Sequence, residues 1–339
     1  MRGKCLARIG LSIAVLPLAV WGASYRLKAT PESIVWGYFS ASTKPALTVR
    51  SGDIVEMQSV WGDPAVLERA GLPPGQVQPE LREIVSRVKD RGPGPHPLTG
   101  PVAIEGAQPG DVLELRILDV RMDVPYSWNT FFPGGGFLPE DFPESRAKII
   151  PLDRERKVGR LAPGVEIPLA PFFGTMGVAP SPAAGRISSL APGSHGGNLD
   201  NKHLTAGAIL YLPVQAPGAL FSCGDGHAAQ GNGEVDITAL ETSLTGVFQL
   251  ILRHDLHLAW PRAETPTHYI LMGLDPDLTK AAKMATREAI EFLTNEKHLS
   301  RADAYMLTSS AVDLEITQLV DGTVGVHAMI PKSLFKGRP

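Results

Sequence analysis

Glycine and proline punctuate this chain at intervals too short for long helices. There are 35 glycines and 30 prolines in 339 residues, scattered singly and gathered into no low-complexity tract. Proline fixes φ and removes a backbone donor, and glycine opens turn conformations that other residues avoid. The apolar runs between them therefore have the length of strands, and the chain reads as many short strands joined by loops rather than as a helical bundle. Such runs are Ile34–Phe39, Ala46–Arg50, Ile54–Val60 after Ser51-Gly-Asp53, Val112–Val120 after Pro109-Gly-Asp111, Phe172–Val178, Ala208–Val214, Gly218–Ser222, Thr238–Arg253 and Thr267–Gly273. Asp313–Val320 and Thr323–Met329 flank Asp321-Gly322 as a hairpin. Helical spacing is confined to 63–88, to Leu278–Leu293 after Asp275-Pro-Asp277, and to a segment opened by Ser300-Arg-Ala-Asp303. With 43% hydrophobic and 20% charged residues the chain can bury a sizeable core.

A net charge of −3 and a pI near 6.3 give no electrostatic case for nucleic acid. The first residues have the pattern of a secretory signal: Arg2, Lys4 and Arg8, then the apolar Ile9–Trp21, then the small residues Gly22-Ala-Ser24. The expected organisation is a signal peptide at 1–24, a β-rich catalytic region at 25–260 and an α+β C-terminal region at 261–339 packed on it. The mature protein is then periplasmic or secreted, with no stable membrane association once the signal is cleaved; an uncleaved anchor is the competing reading. Cys5 lies in that signal and Cys223 is the other cysteine, so the mature chain forms no intramolecular disulfide. Cys223 alternates with Phe221 on an apolar run and reads as a buried structural thiol rather than a nucleophile.

Two stretches concentrate chemistry. Ser222–Val235 sets Asp225, His227 and Glu234 among Gly224, Gly226, Gly231 and Gly233, directly after an apolar run. Two carboxylates and an imidazole are donors for zinc or a harder divalent ion, although Asp-Gly and Asn-Gly pairs are also ordinary hairpin signals. Within Pro192–Lys202, the eight residues from His195 hold His195, Asn198, Asp200 and Lys202 around two glycines. A strand pair between the two stretches can bring them together, and the pair is harder to dismiss than either alone. His96 sits in the stiff Arg91–Val102 segment, and Tyr126–Phe142 is an aromatic, glycine-rich loop suited to walling a pocket. His254 and His257 are three apart, which on an extended strand puts them on opposite sides and argues against a shared metal.

Three blocks resemble the acetamidase/formamidase family: His96–Val102 with Gly106–Leu113, Gly196–Asp200 with Leu210–Val214, and Gly218–Phe221 with Gly224–Gly231 and Gly233–Val235. The resemblance implies hydrolysis of small amides to ammonia and a carboxylate. It also implies a β-rich α+β fold with a sandwich- or barrel-like core, a divalent metal, often zinc, and a homo-oligomer. For that chemistry His195, Asp200, Asp225 and His227 are assigned as metal ligands. Glu234 is the general base and then acid, and Lys202 contacts the oxyanion or carboxylate. Asn198, His96, Trp128 and Phe137 are assigned to the substrate. Zinc, manganese and calcium all remain open as the metal. Asn232 stands where the family more usually has Asp, and Val35 and Ser40 depart from an expected His and an acidic residue. Those departures motivate two alternatives: a secreted β-domain that binds a small ligand without catalysis, and a hydrolase of a lactam or other cyclic amide.

Overall fold

A computed structural model describes residues 22–335. Most of the expected signal segment, residues 1–21, lies outside the described residues. Ser24 opens a strand, Ser24–Leu27, which runs parallel to Ile54–Gln58. No helix among the described residues is long and apolar enough to cross a membrane.

The short apolar runs assemble into two large sheets. One has nine strands, in the spatial order Ser24–Leu27, Ile54–Gln58, Leu244–Arg253, Val112–Met122, Ile209–Pro213, Arg262–Glu264, His268–Asp275, Val324–Pro331 and Asp313–Gln318. The other has eleven, and the path through its centre is Tyr126–Phe131, Leu240–Thr242, Phe221–Ala229, Phe172–Gly177 and Gly196–Asn198. Side chains from both sheets meet in one core: Met57, Leu115, Leu210 and Phe248 from the first, Phe173, Met176, Phe221 and Cys223 from the second. Phe248 lies edge-on to Phe173 at 5.4 Å and to Phe221 at 5.8 Å. Burying a side chain of this size is worth roughly 1.5–3 kcal/mol. Residues alternate across the two faces of each strand, so a sandwich of this kind follows from the strand pattern. The fold is β-rich α+β.

Among the described residues, the C-terminal region forms no sheet of its own. Its four strands extend the nine-stranded sheet, and Ile270, Met272, Leu274 and Met329 enter the main core. Helices Leu278–Asn295, with Ala281, Ala285, Ala289 and Leu293, and Arg301–Ala311, with Ala304, cover the far face of this extension. Asp277 caps the first helix by accepting from Lys280 N at 2.9 Å, and Ser300 caps the second by accepting from Asp303 N at 3.1 Å. Short helices also form at Pro64–Arg69 and Pro79–Arg87.

Three local expectations need correcting. Tyr126–Phe131 is a strand rather than loop, because Trp128 pairs with Glu241 and Ile149 across the sheet. His254 and His257 lie beyond the end of Leu244–Arg253 and not on it, with His254 Nδ1 2.8 Å from Asp111 Oδ1. The apolar run before the 222–235 cluster does not end there: Phe221–Ala229 is one continuous buried strand that contains Asp225 and His227.

Candidate active site

The site is built by a fault in that strand. Phe221 and Cys223 point into the inter-sheet core, and strict alternation would send Asp225 and His227 after them. Asp225 instead takes φ 58°, in the left-handed region. Beyond it Gly226 stands opposite the core residue Phe173, and His227 opposite Phe172, whose ring it meets edge-on at 5.0 Å. The pleat is reset, and two polar side chains leave the core together. Asp200 (φ 47°) and Glu234 (φ 44°) share this unusual backbone. Three carboxylate residues in a region that costs non-glycine residues on the order of 1 kcal/mol or more are held there by their surroundings, as strained functional positions are. Gly174 makes room for them. A Cβ on it would come within 3.0 Å of Asp200 Oδ1, Asp225 Oδ2 and His227 Cε1.

His227 is the hub. Its Nε2 lies 3.2 Å from Glu241 Oε2, 3.4 Å from Asp225 Oδ1 and 3.9 Å from Glu234 Oε1, and its Nδ1 is 3.9 Å from Asp200 Oδ1. Gln230 sets its tautomer. The Gln230 amide nitrogen donates to the Asp200 carbonyl at 2.8 Å, which turns Oε1 toward His227 Nδ1 at 2.9 Å. Nδ1 then carries a hydrogen, and Nε2 is the nitrogen left facing the carboxylates. His96 is fixed in the same sense, because its Nδ1 is 3.0 Å from the carbonyl of Ser189, which can only accept. Its Nε2 is left facing Asp225 Oδ1 at 3.9 Å. Trp61 Nε1 donates to Glu241 Oε2 at 2.6 Å, and the Trp61 ring packs on His96 and Trp128. Asn198 donates to Asp200 Oδ2 at 2.7 Å and accepts from the Thr175 hydroxyl.

Ligand atoms converge in two groups that share His227: Asp200, His227 and Glu234, and Asp225, His227 and Glu241. All five residues are buried, and Asp321 joins them. Burial and the neighbouring Asp225 charge push Asp200 up to about 7. Burial, then Asp200, raises both Glu234 and Asp321 well above the carboxylate range. Burial alone would raise Asp225 too, but His227 and then His96 hold it low. Burial works against a charged His227, yet Glu241 and Asp225 raise its proton affinity far above that of a free imidazole.

A cavity of about 500 Å³ opens on this cluster, walled by Trp61, Trp128, Phe132 and Ile237 and floored by His96, Asp225, Glu234 and Glu241. The structure thus brings together Asp200, Asp225, His227, Glu234, His96, Asn198 and Trp128. It does not bring in three others. His195 is absent from both ligand groups; its Nε2 is buried with no hydrogen-bond partner, its ring abuts Phe39 at 5.0 Å, and burial lowers its pKa to about 4. Lys202 lines a separate groove with His203 and Glu315, because the chain turns away after Asp200. Phe137 is 51% exposed and anchored by its own N–H on Val235 O, and Phe132 lines the cavity in its place. Asn232 is exposed and donates to Glu315, so its amide is no part of the buried cluster. Cys223 is buried, and burial pushes its thiol up, away from nucleophilic use.

The profile of the Acetamidase/Formamidase family matches residues 93–187 and 183–257, the segments that carry His96, Asp200, Asp225, His227, Glu234 and Glu241. An acetamidase crystal structure from Bacillus halodurans superposes over 92% of this chain and 98% of its own, with a TM-score of 0.78 and 30% identity. The chain belongs to the acetamidase/formamidase family. An acetamidase from Yersinia enterocolitica is similar over 93% of this chain and 94% of its own, at TM-score 0.79 and 28% identity. The formamidase of Methylophilus methylotrophus is 31% identical over 191 residues, 41% of this chain and 47% of that protein. The chain spans about half the length of the curated relatives it matches.

Proposed function

We propose that this family member is a metal-dependent amidohydrolase that releases ammonia and a carboxylate from small linear amides. The observation that carries this reading is the buried convergence of Asp200, Asp225, His227, Glu234 and Glu241 on a cavity of about 500 Å³. The names of the relatives, a formamidase and acetamidases, support the substrate class.

The residues fit a divalent ion. Five buried carboxylates, counting Asp321, face two imidazoles, and uncompensated buried charge costs several kcal/mol per group. Asp200 Oδ1 is buried without a hydrogen-bond partner. His227, Asp225 and Glu241 would hold the ion. An imidazole among carboxylates suits zinc or manganese better than calcium, which takes oxygen donors. When bound, such an ion polarises a carbonyl and acidifies a nearby water.

This chain's own residues do the rest. Trp61 and Trp128 exclude water from the cavity and limit the substrate to a small amide. His96 Nε2, held by Ser189, accepts from the amide N–H. Asn198 and Thr175 orient Asp200 and Asp225, and are positioning residues. Glu234 takes a proton from the attacking water and returns one to the leaving nitrogen, the step without which an amine is a poor leaving group.

The test is ammonia release from formamide and acetamide by the wild type, the chelated protein, Glu234→Gln and Glu241→Gln. Glu234→Gln should lose about 100-fold or more in kcat with its metal retained, and Glu241→Gln should lose metal as well. Equal turnover with and without chelator would refute the metal dependence, and no ammonia from either amide would favour a ligand-binding domain.

A further inference from the structure

A second cluster lies outside the cavity, where the C-terminal hairpin meets the chain on either side of the active-site strand. His203, Glu315 and His327 bring ligand atoms within 4.8 Å of one another. His203 Nε2 is 3.2 Å and His327 Nε2 3.4 Å from the same oxygen, Glu315 Oε2. We propose that His203, His327 and Glu315 form a second divalent metal site of the zinc class, separate from the amidase centre.

Three features distinguish the cluster from a solvated group of charges. The donor set, two imidazoles and one carboxylate, is one that zinc takes with a fourth position left open. His327 is completely buried, and its Nε2 has no hydrogen-bond partner although it is turned toward Glu315 and His203. The opposite nitrogen, Nδ1, is 2.7 Å from the Thr317 hydroxyl, the kind of outer hydrogen bond that fixes the ring of a metal-bound histidine. His203 and Glu315 line an open groove together with Lys202 and Gln230, so water or a small anion can reach the cluster.

The site would fasten three parts of the chain. His203 follows the Asp200 segment, and Glu315 and His327 stand on the paired strands Asp313–Gln318 and Val324–Pro331. Asn232 donates to Glu315 Oε2 at 2.5 Å. Gly233 N donates to Thr317 O, and Leu319 N to Gly233 O, each at 3.0 Å. The loop that ends at Glu234 is therefore pinned to the hairpin that carries two of the three ligands. Any effect on turnover through Glu234 rests on the amidase reading; the site itself does not.

Metal equivalents per chain decide it. Zinc binding by wild type, His203→Gln and Glu241→Gln is titrated against a chromogenic chelator, with Tm measured in parallel. His203 is only partly buried, so His203→Gln should fold and melt like wild type in chelator. It should lose one equivalent that Glu241→Gln retains, weaken that site by on the order of 100-fold, and show a smaller zinc-induced rise in Tm. The same equivalents and affinities in His203→Gln as in wild type would overturn the proposal, as would a wild type that binds no zinc. Loss in Glu241→Gln alone tests the amidase centre, so the two readings fail separately.

Discussion

At the scale of single residues, the histidines divide by what their second nitrogen touches. His96 and His227 have Nδ1 held by an acceptor and offer Nε2 to the site. His195 has Nε2 buried with no partner, beside Phe39. It is a neutral packing residue, and its pKa near 4 carries a consequence for stability. An unfolded imidazole titrates near 6.5, so between 6.5 and about 4 the unfolded chain binds a proton that the native chain refuses. Stability from this residue is complete above pH 6.5 and is lost as the pH falls through that window, by roughly 3 kcal/mol in all. Denaturant titrations from pH 7 to 4 should show a shallower decline for His195→Gln than for wild type; parallel declines would disprove the assignment. The sequence singles out His195 because it stands beside Asn198 and Asp200, whereas the fold sets its ring against Phe39. Asp200, Asp225, His227 and Glu234 were legible because each is a polar residue among glycines. Glu241 and Asp321 were not, since Leu-Glu-Thr in a strand and Asp-Gly at a hairpin are what any β-protein contains.

Among the elements, the Phe221–Ala229 strand shows why the pattern was readable only in part. Its apolar start and its burial follow from composition, but the reversal at Asp225 leaves no periodic trace because Gly224 and Gly226 have no side chain to mark a face. The capped C-terminal helices were legible from Asp277 and Ser300, whose hydrogen bonds are local. The reversal also predicts how the strand responds to substitution. Asn tolerates φ near 58° and keeps the shape of Asp, while a β-branched residue there is a steric outlier. Asp225→Asn should fold with a Tm near that of wild type and lose most amide turnover. Asp225→Val should be less stable than Asp225→Asn by about 1–3 kcal/mol. Equal melting of the two would mean that the left-handed conformation at 225 is not what turns His227 out of the core.

On the scale of the whole molecule, the two sheets and the C-terminal extension share one core, and the active site lies where they are tied together. Residues 261–339 read from sequence as a region packed on a catalytic body, because helices reappear there after a long run of strands. The strand pairing of Ile209–Pro213 with Arg262–Glu264 joins the four strands of this region to the nine-stranded sheet. Such pairing is between residues about fifty apart and has no local signature. The consequence is a prediction about cooperativity. A chain ended at residue 260 loses four strands of that sheet, uncovers the Ile209–Pro213 edge, and removes Ile270, Met272, Leu274 and Met329 from the main core. Each buried side chain of that kind contributes about 1.5–3 kcal/mol, against a total stability of only about 5–15 kcal/mol for a typical domain. The truncated chain should therefore be insoluble or unfolded by circular dichroism, and the full chain should melt in a single calorimetric transition. A folded 22–260 fragment, or two separate transitions in the full chain, would show that the C-terminal region is an independent unit. The bridge from Gly233 to Gln318 would then be a docking contact, no longer part of the scaffold that holds Glu234.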